Sequence, residues 1–301
     1  MDSVSFQIDE KIRDQIITFY QDYQIKNDGE YILFCAKYEK IVITIFQSKK
    51  GYKALFVGPN CLQEAKIFNN EAKLNIPKEK NVTQFIDISS QIGSDEVGFG
   101  DFFGPLVVVA CIYEPSLKVI LDKIDDSKKL TDEFILNFVP QIIDKVTFSK
   151  LTVHNEKYNS LIAQNYNMNK IKAILHNQAL YNLSKKRPDI TAFYIDQFCN
   201  EESYFKYVKN EKHIVSHITF MTKGESHFPS VALASMIARY SFLKEMEALN
   251  KKYQMEFVFG ASKKTDEFAK KFIEKYSLTE LDKVCKKNFV NYTYLLDKKN
   301  D

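Results

Sequence analysis

The stretch Gly93-Ser94-Asp95-Glu96-Val97-Gly98-Phe99-Gly100-Asp101-Phe102-Phe103-Gly104-Pro105 decides how the rest of the chain is read. Two carboxylates, Asp95 and Glu96, end an otherwise apolar stretch and stand directly before Gly98 and Gly100. Adjacent residues of a regular strand face opposite sides, so both can serve one site only where the strand ends or bends. The glycines supply such a bend and let the backbone of a ligand approach closely. An Asp-Glu pair in a polar setting is ordinarily a solvated surface feature; the apolar setting here points instead to a site. Residues 104–113 (GPLVVVACIY) then form a continuous apolar run suited to a buried central strand.

Downstream of this core, helical patterns at 131–144, 156–163 and 169–186 alternate with strands at 147–153 and 190–197 (ITAFYIDQ). A strand at 213–220 precedes a long helix at 229–251, in which Ala232, Ala234, Ser235 and Ala238 allow close packing. Mixed strands with alternating helices predict an α/β domain around a partly antiparallel sheet. Upstream, Ile8, Ile12, Ile16, Ile17 and Tyr20 fall on the apolar stripe of a helix over 8–22. Short strands at 31–37, 41–47 and 52–57 follow, then a helix at 60–70 and a polar linker ending near residue 85. The expected organisation is a first domain of helix, three antiparallel strands and helix over 1–85, and a second domain over 86–301.

The chain has 301 residues, and Lys+Arg 42 against Asp+Glu 39 leaves a net charge of +3. Such a length suits two domains, and 45% hydrophobic residues exclude a disordered or fibrous chain. So small a net charge does not by itself announce a nucleic-acid partner. The surplus falls in residues 244–301, with 13 basic against 10 acidic residues, and suits a solvated helical surface. Five cysteines, Cys35, Cys61, Cys111, Cys199 and Cys285, are widely spaced and form no C-x-x-C pair, so reduced thiols in a cytoplasmic protein are expected. The N-terminus lacks an apolar signal region. The run Leu106–Tyr113 falls short of the ~20 residues a membrane span requires, so no membrane association is expected.

A further carboxylate, Asp196, ends the buried-looking strand ITAFYID. A buried carboxylate without a partner costs several kcal/mol, so it implies a cation or a cage of hydrogen bonds. Glu225 lies just ahead of the long helix, where the macrodipole also favours an acid. No His or Cys accompanies these residues, and all-oxygen ligation favours Mg²⁺ or Mn²⁺ over zinc. His176, His213, His217 and His227 have no acid at a telling spacing and receive no role.

Together with GSDEVGFGDFFGP, the blocks DDSKKLTD (125–132), LHNQAL (175–180), YIDQF (194–198), TKGES (222–226) and VALASMIAR (231–239) resemble the successive signature blocks of ribonuclease HIII, a bacterial relative of ribonuclease HII. The N-terminal unit, with SKKGYKALFVG ahead of a helix, resembles that family's TATA-binding-protein-like domain, so the likeness spans essentially the whole chain. The resemblance implies a ribonuclease H-like mixed-sheet α/β catalytic domain preceded by a small α+β substrate-binding domain. It implies a monomeric endonuclease that cuts the RNA strand of RNA–DNA hybrids with divalent metal. The family's metal-binding set carries over onto Asp95, Glu96, Asp196 and Glu225. Two Mg²⁺ or Mn²⁺ ions about 3.5–4 Å apart would then support an in-line displacement that leaves 5′-phosphate and 3′-hydroxyl ends. Asp95 is the expected bridging ligand, Asp196 and Glu225 serve separate ions, and Glu96 is a ligand or an orienter of the 2′-hydroxyl.

Only RNA carries that 2′-hydroxyl, and the loop Val97, Gly98, Phe99 and Gly100 is suited to reading it through backbone amides. Ser127, Lys128 and Lys129 are candidate phosphate contacts, as are Lys49, Lys50 and Lys53 in the first domain. Two departures stand out: Phe99 replaces the threonine usual between the two glycines, and Phe257-Val258-Phe259-Gly260-Ala261 replaces a Leu-Pro-x-Gly-Ala pattern. The rival expectations are ribonuclease HII-like cleavage at single ribonucleotides embedded in DNA and a hybrid-binding protein without catalysis.

Overall fold

The computed structural model of the chain describes residues 2–27, 29, 31–48, 51–75, 85–125 and 131–297. Ser127, Lys128 and Lys129, together with Lys49 and Lys50, lie outside the described residues. The chain divides into two compact units, Met1–Asn81 and Val82–Asp301, against the boundary at 85/86 read from the sequence.

The first unit contains β1 (Ser3–Ile8), α1 (Glu10–Tyr20), β2 (Ile32–Tyr38), β3 (Ile41–Ser48), β4 (Gly51–Val57) and α2 (Cys61–Phe68). Its four strands form one antiparallel sheet in the order β1-β4-β3-β2. The period-two alternation puts Ile43, Ile45, Ala54 and Phe56 on one face, where they bury Ile16 and Tyr20 of α1 and Cys61 and Ala65 of α2. The strand β1 was not expected. Val4, Phe6 and Ile8 alternate as a strand requires, but Ile8 also falls four residues before Ile12, so a helical stripe absorbs it. Asp9 separates the two elements, because its side chain accepts from the Ile12 N–H at 2.8 Å and caps α1.

The second unit runs β5 (Gln91–Val97), β6 (Leu106–Tyr113), α3 (Lys118–Asp125), α4 (Asp132–Ile142), β7 (Phe148–Val153), α5 (Asn155–Ala163) and α6 (Met168–Ser184). It continues with β8 (Phe193–Asp196), α7 (Glu201–Val208), β9 (Ile218–Met221), α8 (Pro229–Tyr253), α9 (Lys263–Lys275), α10 (Leu278–Leu281) and α11 (Val290–Asp297). The five strands are ordered β7-β6-β5-β8-β9. The pairs β7–β6 and β6–β5 are antiparallel, whereas β5–β8 and β8–β9 are parallel, which makes the mixed sheet that was expected.

Every residue of β6 is buried, and alternate ones serve two cores. Val107, Val109 and Cys111 pack with Leu233 and Ile237 of α8, while Val108 and Ala110 join Leu180 and Leu183 of α6 on the opposite face. The central strand can lie against α8 only because residue 93 is glycine. A Cβ there would stand 2.3 Å from Ser230 Oγ and 2.8 Å from the Val231 backbone nitrogen. All five cysteines are free thiols. Among the described residues, no helix is long and apolar enough to cross a membrane.

Candidate active site

The site forms at the carboxyl ends of the parallel strands β5 and β8, beside the point where the sheet changes from parallel to antiparallel pairing. Open α/β sheets place their ligands at such ends. The register pairs Ser94 with Ile195, so Asp95 and Asp196 are the next neighbours along the two strands. Asp196 Oδ1 accepts from the Gly224 N–H at 2.9 Å, which fastens the short turn Gly224–Ser226 to the end of β8. Glu225 sits in that turn, half-buried, just before α8 begins at Pro229.

The bend falls at Gly98, the first of the two glycines that supply it in the sequence, and there it comes too late to bring the acidic pair to one side. The strand β5 stays regular through Val97, which pairs with Val107, and the chain turns only at Gly98, where φ is +93°. Asp95 and Glu96 consequently project to opposite faces of the sheet. Asp95 faces α8, where Ser235 hydrogen-bonds its carboxyl; Glu96 faces α6. Burial, the negative charge of Glu96 and that of Asp196 push the Asp95 carboxyl up to about 8, although the Ser235 hydroxyl and the Glu96 N–H favour its ionised form. Among the described residues, no cation pairs with Asp95.

Glu96 has the opposite environment. Its Oε1 lies 2.6 Å from Lys172 Nζ and its Oε2 lies 2.7 Å from His176 Nε2. Burial opposes its ionisation, but the bonds from His176 and Lys172 outweigh that and hold the carboxyl below its ordinary value. His176 is fully buried and its Nδ1 meets Ser94 Oγ at 2.7 Å, so the ring is fixed at both ends. The sequence reading gave His176 no role, and here it is corrected. The acid that partners this histidine comes from a strand 80 residues away and is invisible in local spacing. Lys172 was missed as well; its signal was a lysine one helical turn before a histidine on the inward face of α6.

The loop between β5 and β6 is held from the C-terminal part of the unit. Lys286 Nζ donates to the carbonyls of Asp101 at 2.8 Å and Gly104 at 2.6 Å, and Asn155 Nδ2 donates to Gly104 O at 2.9 Å. The Gly260 N–H donates to Asp101 Oδ1 at 2.6 Å, and the Phe102 N–H donates to Gly260 O at 3.0 Å, so the altered segment 257–261 braces this loop directly. Of the loop positions singled out in the sequence, Val97 ends β5, Gly98 is buried and Gly100 is exposed. The Phe99 ring lies against Lys172, 3.6 Å from the ammonium to the ring centroid. Arg239 of α8 makes a two-pronged pair with Asp132 at the start of α4, at 2.8 Å on each prong.

Of the four carboxylates named from the sequence, Asp95 and Asp196 stand together, Glu225 adjoins them through Gly224, and Glu96 is turned to the other face. Among the described residues, no three His, Cys, Asp or Glu side chains gather closely enough to hold an ion as they stand. The donor chemistry nevertheless fits a hard divalent cation: oxygen ligands only, with a buried Asp95 whose charge has no counterpart.

A family model described as Ribonuclease HII matches residues 92–292, and one described as a domain of unknown function, DUF3378, matches residues 3–81. Over 207 residues the chain is 44% identical to a protein named Ribonuclease HIII from Phytoplasma mali (strain AT), covering 68% of this chain and 72% of that one. Over 273 residues it is 38% identical to Ribonuclease HIII of Staphylococcus aureus (strain MSSA476), covering 85% and 86%. The chain belongs to the ribonuclease HIII family. Membership makes it a ribonuclease H, and the ribonuclease HIII fold accounts for both units, a mixed-sheet ribonuclease H-like domain preceded by a small α+β domain. The crystal structure of Bst-RNase HIII in complex with Mn²⁺ is 31% identical, with a TM-score of 0.67 over 98% of each chain. Aquifex aeolicus RNase H3, at 21% identity and a TM-score of 0.54, shares the fold over 94% of this chain and 99% of that one.

Proposed function

We propose that the chain is a divalent-metal-dependent endoribonuclease that cuts the RNA strand of RNA–DNA hybrids at the tips of β5 and β8. The observation that carries this reading is Asp95, a buried carboxylate beside Asp196 with no cation among the described residues to balance it. Asp95, Asp196 and Glu225 are the groups that would hold metal, joined by Glu96 once its oxygen is released from Lys172. When bound, a pair of Mg²⁺ or Mn²⁺ ions supplies Lewis-acid stabilisation of in-line displacement at phosphorus, giving 5′-phosphate and 3′-hydroxyl ends. The chain fixes its donors through ordinary hydrogen bonds, with Ser235 setting Asp95 and the Gly224 N–H setting Asp196.

Substrate positioning falls to the backbone of Val97–Gly100. Gly98 turns the chain at positive φ, and no atom stands within 4 Å of where a Gly100 Cβ would be, which leaves open room for a 2′-hydroxyl to approach the amides. In the first unit, the sheet face opposite α1 and α2 carries Ser5, Gln7, Lys53 and Leu55, a polar and weakly basic surface suited to a nucleic-acid backbone without sequence preference. We assign Ser127, Lys128 and Lys129 the same kind of phosphate contact. The protein acts as a cytoplasmic monomer in this reading.

The test compares a continuous RNA–DNA hybrid with a DNA duplex carrying one embedded ribonucleotide, each with Mg²⁺ and with Mn²⁺. Cleavage of the hybrid at many positions, abolished in Asp95→Asn and Asp196→Asn, is the expected result. Normal hybrid cleavage by Asp196→Asn at saturating metal sinks the site assignment. Exclusive cutting at the single ribonucleotide transfers the enzyme to the other specificity, and intact binding without any cleavage reduces it to a hybrid-binding protein.

A further inference from the structure

Both carboxylate oxygens of Glu96 are occupied, one by Lys172 and the other by His176. The two partners are held very differently. The His176 ring is fully buried, bonded to Ser94 at its other nitrogen and stacked on Phe198 with ring centroids 5.2 Å apart. Lys172 carries its charge on a flexible four-carbon stem. Its ammonium lies 3.6 Å from the centroid of Phe99 and 4.9 Å from that of Phe198, so two aromatic faces and one carboxylate surround it. The Phe99 face belongs to the turn between β5 and β6, next to the open space at Gly100.

We propose that Lys172 is a tethered counter-cation that occupies Glu96 in the absence of metal and gives it up when a divalent ion binds, with Phe99 and Phe198 cradling the ammonium. The inference rests on Glu96 being part of the metal site. It makes Lys172 a positioning residue that acts through Glu96. Glu96 is neutralised on the α6 face, while Asp95 lies toward α8 with Asp196 beside it. Exchange requires breaking only the lysine bond, because the histidine bond can persist on one oxygen while the other turns toward an ion. A mobile single charge thereby competes with a divalent one for the same carboxylate, and metal affinity is set partly by how firmly the aromatic faces retain the lysine.

The experiment measures Mn²⁺ binding by calorimetry, without nucleic acid, to the full-length wild type and to Lys172→Met, Phe99→Ala and Asp95→Asn. Removing a buried competitor is expected to tighten Mn²⁺ binding by about fivefold in Lys172→Met. Phe99→Ala is expected to shift affinity in the same direction, because a ring that helps retain the lysine is gone. In parallel, wild-type protein is acetylated with acetic anhydride with and without Mg²⁺, and modification of Lys172 is compared by mass spectrometry with that of the exposed Lys186. Metal is expected to raise the labelling of Lys172 relative to Lys186. Unchanged or weaker Mn²⁺ affinity in a folded Lys172→Met overturns the proposal. If that variant does not fold, unchanged Lys172 labelling in the wild type overturns it and increased labelling supports it. A wild type that binds Mn²⁺ and loses it in Asp95→Asn, with Lys172→Met unaltered, refutes the counter-cation alone; a wild type that binds no Mn²⁺ refutes the metal site as well.

Discussion

Replacing Lys286 with methionine should change the pH dependence of stability in a calculable way. Lys286 is 1% exposed, and its ammonium satisfies the carbonyls of Asp101 and Gly104 within the β5–β6 loop. Burial pushes it from an ordinary 10.5 down to about 7, against the opposing influence of Asp101 and Cys285. In the unfolded chain the same amine keeps its proton up to about 10.4, so between the two values the unfolded state binds more protons and stability rises with pH. Across that whole window the gain is about 5 kcal/mol, and about 1.5 kcal/mol of it falls between about pH 7 and pH 8.5. Asp95 works in the opposite sense. Its folded form keeps a proton up to about 8, so it costs stability as pH climbs from the ordinary carboxylate range. That contribution is common to wild type and variant, and it cancels in their difference. Urea unfolding of both proteins, followed by circular dichroism at the two pH values, should show the wild type gaining about 1.5 kcal/mol on Lys286→Met. A stability difference that stays constant over this range refutes the assignment of Lys286 as a buried amine that loses its proton near neutrality.

Other perturbations have equally definite outcomes. Gly93→Ala puts a methyl 2.3 Å from Ser230 Oγ and 2.8 Å from backbone, so thermal or urea unfolding should show a loss of about 2 kcal/mol. Glu96→Gln strands the Lys172 ammonium in a largely buried position; unfolding experiments should register about 3 kcal/mol of destabilisation, partly recovered when Lys172→Met is added. Asp95→Asn should lower hybrid cleavage by at least about a hundredfold, yet raise the urea midpoint of the metal-free protein above pH 4, since an amide escapes the cost of taking up a proton that the buried carboxyl pays on folding. Arg239→Ala loses the two-pronged bond to Asp132, and because Asp132 is well exposed the stability loss should stay near 1 kcal/mol by the same measurement.

The central strands were legible because they depend on local pattern: an apolar run at 104–113, a carboxylate at Asp196 where β8 ends, and a glycine at 98 where the chain turns. The mixed sheet followed from the alternation of strands and helices. What local pattern could not disclose was direction. The alternation that sends Asp95 and Glu96 to opposite sides holds, because the bend at Gly98 follows the last regular residue of β5 and leaves both directions as the strand set them. The partners of Glu96 were hidden for another reason, since Lys172 and His176 reach it from a helix joined to β5 only through tertiary packing. The helices α9 to α11 went unread because their lysines suggest a surface, while Phe272 and Leu281 inside them belong to the core.

The central position of β5 also dictates when the enzyme can exist. Asp196 follows Asp95 by 101 residues, and the helix that covers Asp95 ends only at Tyr253. At translation rates of about 5–20 residues per second, on the order of ten to thirty seconds separate the synthesis of β5 from that of the end of α8. The first unit, whose strands pair among near neighbours in sequence, can fold during this interval. The apolar faces of β5 and β6 have no such option. The leading domain can therefore be complete while the partners that cover β5 and β6 are still being made, so nuclease activity waits on chain length alone.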